Sequence, residues 1–186
     1  MKPFISILIL LVGGFSLGLT PPSPANIHIN WVSMEEAGDL AVTTGKKIIV
    51  DVYTSWCGWC KRMDRDSYEH DAVVRYINEN YIAVKFNAEQ KEDVTLGGKT
   101  FKFVPNGRRG YHELAATMLQ GKMSYPSTVF IDEKLQRLTT VPGYLGPVDL
   151  LGVLTFFGDD VHKSGKDVNV YLKEFKEKVS QTGTGK

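Results

Sequence analysis

Three short runs of the chain carry the hydrophobic pattern of β-strands. Apolar and polar side chains alternate over residues 27–31, which predicts a strand with one buried face. Residues 47–53 and 81–87 are apolar along most of their length, and each run has one charged residue well inside it, Asp51 and Lys85 respectively. Runs of this kind are typical of strands that helices cover on both sides.

Helical spacing of apolar residues occurs between these runs. A capping box over residues 33–36 begins one helix, which ends at Gly45. A second helix follows Cys60 and reaches about Ser67, and a third covers residues 71–80. The resulting order β-α-β-α-β, with short connections, favours parallel strands and an α/β fold.

The second half of the chain is less regular. The pattern predicts a hairpin at 94–104 with a Gly97-Gly98 turn, a loop at 105–110, a helix at 111–121, antiparallel strands at 127–132 and 136–141, and helices at 147–158 and 167–180. Val148 and Leu151 are expected on the inner surface of the first of these last two helices, which Pro147 begins.

The N-terminus has the pattern of a secretory signal peptide, with a lysine, an apolar run at 4–12 and small residues up to Gly18. Cleavage is expected after Gly18, with Ala25 as an alternative. An uncleaved anchor holding the domain outside the membrane is the other interpretation, although the run falls short of the roughly 20 residues that a spanning helix needs. The predicted boundaries are a signal peptide at 1–18, a linker at 19–26, one folded domain at 27–180 and a flexible tail at 181–186. The protein is therefore expected in the periplasm or secreted.

The balance of charges argues against a polyanionic partner. The chain has 22 basic and 21 acidic residues and a formal net charge of +1. This balance gives no electrostatic reason to expect binding to nucleic acid or to an anionic membrane surface.

The two cysteines of the chain, Cys57 and Cys60, follow directly after the strand at 47–53. A disulfide between them would close a very short loop and would stabilise the fold little. A redox pair needs this proximity, and a strand that delivers C-x-x-C to the start of a helix suits thiol–disulfide exchange. Zinc needs about four ligands, and none of the histidines is spaced as a ligand pair with these cysteines. No metal and no cofactor is predicted, and His28, His70, His112 and His162 are expected on the surface or in loops.

The residues around the pair resemble the thioredoxin superfamily over nearly the whole predicted domain. Residues 56–61, W-C-G-W-C-K, match its motif W-C-x-x-C-K, with Trp59 in the place of the proline of ordinary thioredoxins. Tyr125 and Pro126 fit its cis-proline loop. The likeness extends to exported thioredoxin-related proteins and the C-terminal domain of DsbD-type disulfide reductases. It implies a thioredoxin-like fold, a central mixed β-sheet flanked by helices, with a hairpin and a helix inserted at 88–122 before the cis-proline loop.

The resemblance also implies roles for individual residues. Cys57 would be the nucleophile and Cys60 the resolving cysteine, while Asp51 matches the family's buried acid and Lys85 the lysine that pairs with it. The residues expected to contact a substrate are Trp56, Gly58, Trp59, Tyr125 and Pro126. Taken alone, Asp51 and Lys85 also fit a purely structural ion pair, as well as a proton acceptor for Cys60. The aromatic side chains likewise fit simple packing.

The expected activity is that of an exported thiol–disulfide oxidoreductase that reduces protein disulfides. Its partners would be proteins with disulfides or thiols and a membrane reductase that donates electrons, and the chain would act as a monomer. A disulfide oxidase or isomerase is an alternative, because C-x-x-C proteins span roughly −270 to −120 mV. A binding module with a passive disulfide is another. Arg108 and Arg109 fit either a solvated loop or a docking patch.

Overall fold

The computed structural model describes residues 27–183. The predicted signal peptide and linker, and the last three residues of the predicted tail, lie outside the described residues. The strands are β1 Trp31–Val32, β2 Lys47–Tyr53, β3 Tyr81–Asn87, β4 Val94–Leu96, β5 Lys99–Phe101, β6 Phe103–Asn106, β7 Arg109–His112, β8 Ser127–Ile131 and β9 Arg137–Pro142. The helices are α1 Met34–Thr44, α2 Gly58–Met63, α3 Asp71–Asn80, α4 Glu113–Met118, α5 Pro147–Gly158 and α6 Val168–Thr182. Within this described range, no helix combines the length and the apolar character needed to cross a membrane.

Five strands form one mixed sheet in the order β1-β3-β2-β8-β9. The strands β1, β3 and β2 are parallel, whereas β8 is antiparallel to β2 and β9 is antiparallel to β8. The α/β fold with a central mixed sheet is thus confirmed, and β2 lies at its centre with helices on both faces. The bounds of β2 and β3 match those predicted from their apolar runs, so the predicted strands that carry Asp51 and Lys85 are confirmed.

Each face of the sheet covers its own hydrophobic cluster, and β2 contributes to both. Ile48, Val50 and Val52 point to the face covered by α1, α4 and the inserted hairpins, while Ile49 packs among residues of α3 and α5 on the opposite face. Side chains of a strand alternate between the two faces, so Asp51 shares the face of Ile49. The acid therefore points into the cluster beneath α3 and α5.

The insertion at 88–122 contains two hairpins and a short helix rather than one hairpin and a long helix. The first hairpin pairs β4 with β5 around Gly97-Gly98, as predicted. The predicted loop at 105–110 is wrong, because β6 and β7 pair there around a Gly107-Arg108 turn. Gly107 has φ +60°, which suits glycine at the first central position of a two-residue hairpin turn.

Close packing explains a second glycine of this hairpin. A Cβ on Gly110 would lie 2.6 Å from the carbonyl oxygen of Val104 and 2.2 Å from the ring of Phe103. The pairing with β6 therefore leaves no room for a side chain at this position.

Other predicted boundaries also change. The strand expected at 27–31 shares only Trp31 with β1, and Tyr111 and His112 belong to β7, so the helix expected at 111–121 begins two residues later. Leu151 packs partly buried against the core as predicted, whereas Val148 belongs to neither hydrophobic cluster and Leu150 is fully buried. Residues 181 and 182 continue α6 rather than a tail.

His112 is fully buried, contrary to its predicted surface position. Its Nδ1 accepts a hydrogen bond from the backbone N–H of Leu114, and its ring meets that of Phe86 edge-on at a centroid distance of 5.2 Å. Its Nε2 lies 3.1 Å from the carbonyl oxygen of Glu92. The histidine caps α4 and joins the hairpins to β3.

Candidate active site

The strand β2 delivers the two cysteines to the start of α2, as the sequence predicts. Cys57 is the N-terminal capping residue of α2, and Cys60 lies one turn further on. Their Cα atoms are 5.3 Å apart and their sulfur atoms form a disulfide bond. Both residues are almost completely buried, with exposed fractions of 5% for Cys57 and 2% for Cys60, so Cys57 is the more accessible of the two.

The capping geometry favours negative charge on the first sulfur. The backbone N–H of Cys60 donates a hydrogen bond to the Sγ of Cys57 at 3.1 Å. In the reduced protein the same donor would stabilise a thiolate at Cys57, because an N–H group in the first turn of a helix has no carbonyl partner within the helix and can bind an anion. Cys60 has no comparable donor among the described contacts of its sulfur.

Asp51 is a buried carboxyl group in the sheet, with an exposed fraction of 1%. Burial raises its pKa from 3.8 to about 6, although the charge of Lys85 and a hydrogen bond from its ammonium act in the opposite direction. The carboxylate of Asp64 adds a smaller upward contribution to the pKa of Asp51. Near neutral pH the group is therefore mostly ionised but is a much stronger base than an ordinary carboxylate.

Lys85 bridges two carboxylates rather than one. Its Nζ lies 3.0 Å from the Oδ2 of Asp51 and also contacts the Oδ1 of Asp64. Asp64 begins a π-helical turn, Asp64–Tyr68, that directly continues α2. Burial lowers the pKa of Lys85, but the charges of and hydrogen bonds to the two acids outweigh it, and the net result is a raised pKa. The lysine is a permanent cation shared between a buried acid and a half-exposed one.

Aromatic rings surround the same ammonium group. The Nζ of Lys85 lies 5.5 Å, 5.1 Å and 5.8 Å from the ring centroids of Trp31, Tyr53 and Tyr68. The ammonium lies over the electron-rich faces of these rings, within the range of a cation–π contact. These contacts help to hold Lys85 in position in addition to its two carboxylates.

An exposed rim surrounds Cys57 on the side of the cis-proline loop. The Tyr125–Pro126 peptide bond is cis, as the resemblance implies. The ring of Tyr125 meets Trp56 edge-on with centroids 6.0 Å apart. Trp56 is 52% exposed, and its Nε1–H donates to the Oε2 of Glu89 at 3.0 Å, while the guanidinium of Arg109 lies 4.8 Å from its ring centroid.

A second aromatic cluster flanks the other side of the motif. Trp59 is 55% exposed and its ring centroid lies 5.5 Å from that of Tyr144. Arg62 covers both rings at about 5 Å and forms an ion pair with Asp66 at 3.1 Å. Gly58, at the first position of α2, is exposed between the two tryptophans. All five predicted substrate-contact residues therefore lie around the disulfide.

The structure adds residues that the sequence did not single out. These are Asp64 beside Lys85, Glu89 and Arg109 beside Trp56, and Tyr144 with Arg62 beside Trp59. Of these residues, the sequence indicates only Arg109, whose arginine pair with Arg108 fits a docking patch as well as a solvated loop. Across residues 27–183, no cluster of three or more histidine, cysteine or acidic side chains could hold a metal ion.

Comparisons with known proteins agree with this arrangement. The fold with a C-x-x-C disulfide at the start of a helix and a cis-proline loop beside it defines a protein of the thioredoxin superfamily. Residues 23–158 match the model of the Thioredox_DsbH family, described as "Protein of unknown function, DUF255". The chain belongs to this family.

A relative in Caenorhabditis elegans, an uncharacterized protein, is 29% identical over 133 residues, which is 71% of this chain. The chain spans only 16% of the length of that relative. A thioredoxin-fold protein from Helicobacter pylori superposes with a TM-score of 0.58 over 72% of this chain and 86% of its own, at 20% identity. A thioredoxin from Thermus thermophilus gives a TM-score of 0.54 over 74% and 93%, at 18% identity. These two likenesses concern the fold alone.

Because Lys85 contacts both Asp51 and Asp64, substitutions of Asp64 and of Lys85 should shift the pKa of Asp51 in opposite directions. Asp64→Asn should lower this pKa, because it removes a like charge and leaves the ammonium to Asp51. Lys85→Met should raise it further, because burial is then unopposed. Both are measured from the carboxyl ¹³C shift of Asp51 against pH. Asp39→Asn, on the exposed surface of α1, is the control that should change nothing, and shifts in the same direction for Asp64→Asn and Lys85→Met would contradict the shared ion pair.

The raised pKa of Asp51 also predicts how stability depends on pH. The folded protein binds this proton more tightly than the unfolded chain, so the contribution of Asp51 to the free energy of unfolding should fall as pH rises from about 4 to about 6 and level off above. At about 1.4 kcal/mol per pKa unit, the loss is at most about 3 kcal/mol. Asp51→Asn should remove it, so that the variant gains stability relative to wild type across this window in urea unfolding. A difference that stays constant with pH, as expected for Asp39→Asn, would contradict the prediction.

Proposed function

We propose that the protein is a thiol–disulfide oxidoreductase that reduces disulfides in partner proteins. The observation that carries this proposal is the Cys57–Cys60 disulfide at the start of α2, on the segment that follows the strand bearing Asp51, a buried acid of raised pKa. A passive crosslink would need neither the hydrogen bond from Cys60 N–H to the Sγ of Cys57 nor a buried acid of raised pKa on the strand that leads to it.

The proposed reaction is a two-step exchange in which Cys57 is the nucleophile. In the reduced protein the Cys57 thiolate attacks one sulfur of the partner's disulfide. A mixed disulfide forms, the partner's S–S bond breaks, and the second partner sulfur leaves as a thiolate that takes up a proton. Cys60 then loses its proton and attacks the Sγ of Cys57, which releases the remaining partner thiolate and forms the Cys57–Cys60 disulfide. The partner gains two electrons and two protons, while the chain loses two electrons and the Cys60 proton, and the second proton comes from water.

Asp51 is the proposed acceptor of the Cys60 proton. With a pKa of about 6, it is mostly ionised at pH 7 and still binds a proton far more readily than an exposed carboxylate. Lys85 holds this carboxylate in place and stays charged throughout. Because Lys85 also contacts Asp64, its charge does not neutralise that of Asp51 completely.

Return to the reduced state requires a dithiol donor, and we assign that role to a membrane reductase. Support comes from the resemblance to exported thioredoxin-related proteins. The residues that contact the protein substrate are the rim residues Trp56, Gly58, Trp59, Tyr125 and Pro126. Trp56, Gly58 and Trp59 are exposed, Tyr125 is partly exposed and Pro126 is buried, and the aromatic surface of the two tryptophans suits an extended segment of a partner.

Serine substitutions separate the two steps. Cys57→Ser should reduce disulfide-linked peptides no faster than the uncatalysed background, because a hydroxyl does not form the attacking anion at neutral pH. Cys60→Ser should complete the first step and accumulate the mixed disulfide. Both are measured after reduction, by tryptophan fluorescence and by mass spectrometry of the trapped adduct.

Wild-type protein with both thiols alkylated is the control for non-covalent binding. Full activity in Cys57→Ser, or no activity of the reduced wild type towards small and protein disulfides alike, would contradict the enzyme and favour a binding module. The direction is tested by equilibration with glutathione buffers. A potential near the thioredoxin value of roughly −270 mV supports reduction, whereas one near roughly −120 mV would assign the protein to the oxidases.

We further propose that the protein acts outside the cytoplasm, after cleavage behind Gly18. The support is the sequence pattern of the first 18 residues alone. Expression of the full chain in a bacterium, followed by N-terminal sequencing of the periplasmic fraction, should find Leu19 as the first residue. Replacing Leu10 and Leu11 by arginine should leave the full-length chain in the cytoplasm, and a mature wild-type protein that still begins at Met1 would contradict cleavage.

A further inference from the structure

The segments around the disulfide are more basic than the chain as a whole. Four segments form the rim: residues 54–62, 105–111, 122–127 and 142–148. Contacts join them, since Trp56 meets Tyr125 and Arg109, Trp59 meets Tyr144, and the N–H of Gly143 donates to the carbonyl of Pro126 at 2.8 Å. These segments contain Lys61, Arg62, Arg108, Arg109 and Lys122 and no acidic residue. In a chain with 22 basic and 21 acidic residues, this is a local excess of positive charge.

The two arginines on the tryptophans differ in their charge partners. The guanidinium of Arg62 lies over Trp59 and pairs with Asp66. The guanidinium of Arg109 lies over Trp56 but forms no ion pair with any carboxylate between residues 27 and 183. A guanidinium stacked on a ring keeps the N–H groups at its edges free, and these groups fit a carboxylate with two parallel hydrogen bonds.

The second hairpin holds Arg109 beside the site. Its base is attached to the end of β3, because the N–H of His112 donates to the carbonyl of Ala88 at 2.7 Å, and the N–H of Ala88 in turn donates to the carbonyl of Tyr53 at 2.8 Å. Tyr53 is the last residue of the strand that leads to Cys57. The hairpin is thus fixed to the same frame as the disulfide, with Arg109 at the start of its second strand.

Asp66 and Glu89 both contact this rim. Asp66 pairs with Arg62 and accepts a hydrogen bond from the hydroxyl of Tyr144, whereas Glu89 lies beside Trp56. The Oε2 of Glu89 accepts the indole N–H of Trp56, which orients the ring on which Arg109 lies. Against the five basic residues of the four segments, the carboxylates of Glu89 and Asp66 leave the rim positive.

We propose that this rim binds a segment of the partner protein that carries an acidic side chain close to the reacting cysteine, and that Arg109 binds its carboxylate. The inference rests on the proposed function, since it names the class of substrate that the same site reduces. A segment lying along the cis-proline loop passes Tyr125 and Trp56 and reaches Arg109. The insertion is thereby a specificity element of the active site.

The test compares three disulfide-linked peptide dimers that differ only in the residues flanking the cysteine: glutamate, glutamine or lysine. Reduced wild-type protein should react about three- to tenfold faster with the glutamate dimer than with the glutamine dimer at low ionic strength, which corresponds to about 0.7–1.4 kcal/mol. High salt should bring the ratio towards one, because exposed ion pairs are screened. Rates are divided by those of the same dimers with dithiothreitol, which removes the intrinsic effect of the flanking charge on exchange.

Three variants locate the effect. Arg109→Gln should reduce the glutamate preference to less than about twofold, and Arg109→Glu should transfer it to the lysine dimer. Glu89→Gln, whose amide oxygen can still accept the indole N–H, should increase the glutamate preference. Arg75→Gln, an exposed arginine on α3, is the matched control and should behave as wild type. Because each preference is a ratio measured on one variant, any change in activity common to both dimers cancels.

The outcomes separate the inference from the function on which it rests. Equal reduction of the glutamate and glutamine dimers by wild type, or an unchanged preference in Arg109→Gln, would overturn the docking proposal and leave the oxidoreductase intact. Failure of wild type to reduce any dimer that dithiothreitol cleaves would overturn both.

Discussion

The burial of Asp51 within the sheet is the constraint on which the site depends. The register of β2 places this acid opposite Lys85 on one neighbouring strand and Thr128 on the other. A slip of one residue would turn the carboxylate to the opposite face, away from the π-helical turn and its tyrosine. The position of the buried acid is therefore set by the same hydrophobic alternation that assembles the core, so its surroundings and the fold cannot change independently here.

Asp64 raises the pKa of Asp51 in its pair with Lys85. In an isolated buried acid–lysine pair, the ammonium lowers the pKa of the carboxyl group. A second acid on the same ammonium weakens this effect. Asp64 belongs to the helical segment that carries Cys60, so the position of this segment and the proton affinity of Asp51 are coupled. The rings of Trp31, Tyr53 and Tyr68 keep the lysine in place while the two acids share it. Burial and shared charge together account for the raised pKa of Asp51.

The sequence predicts the parts of this site that depend on local pattern and misses the parts that depend on distant contacts. Long apolar runs define β2 and β3 to the residue, and the cysteine spacing indicates the redox pair. The sequence does not predict the hairpin of β6 and β7, because its strands are half-exposed and show no clear alternation of apolar and polar residues. Only Gly107 indicates its turn. Asp64 and Glu89 look like ordinary surface acids, and only the folded chain brings them to Lys85 and Trp56.

The residues proposed to select partners are exposed, whereas those proposed to carry out the disulfide exchange are buried. The rim interactions of Trp56, Arg109 and Glu89 are exposed, and each contributes about 0.5–1 kcal/mol, as surface cation–π contacts and ion pairs do. Asp51 is buried, and its charge alters stability by several times as much. Substitutions in the hairpin can therefore change which partner segment binds with little effect on the pKa of Asp51. A thioredoxin-like domain that acquires an insertion at this position gains a separate means of selecting partners while the core that performs the exchange stays constant.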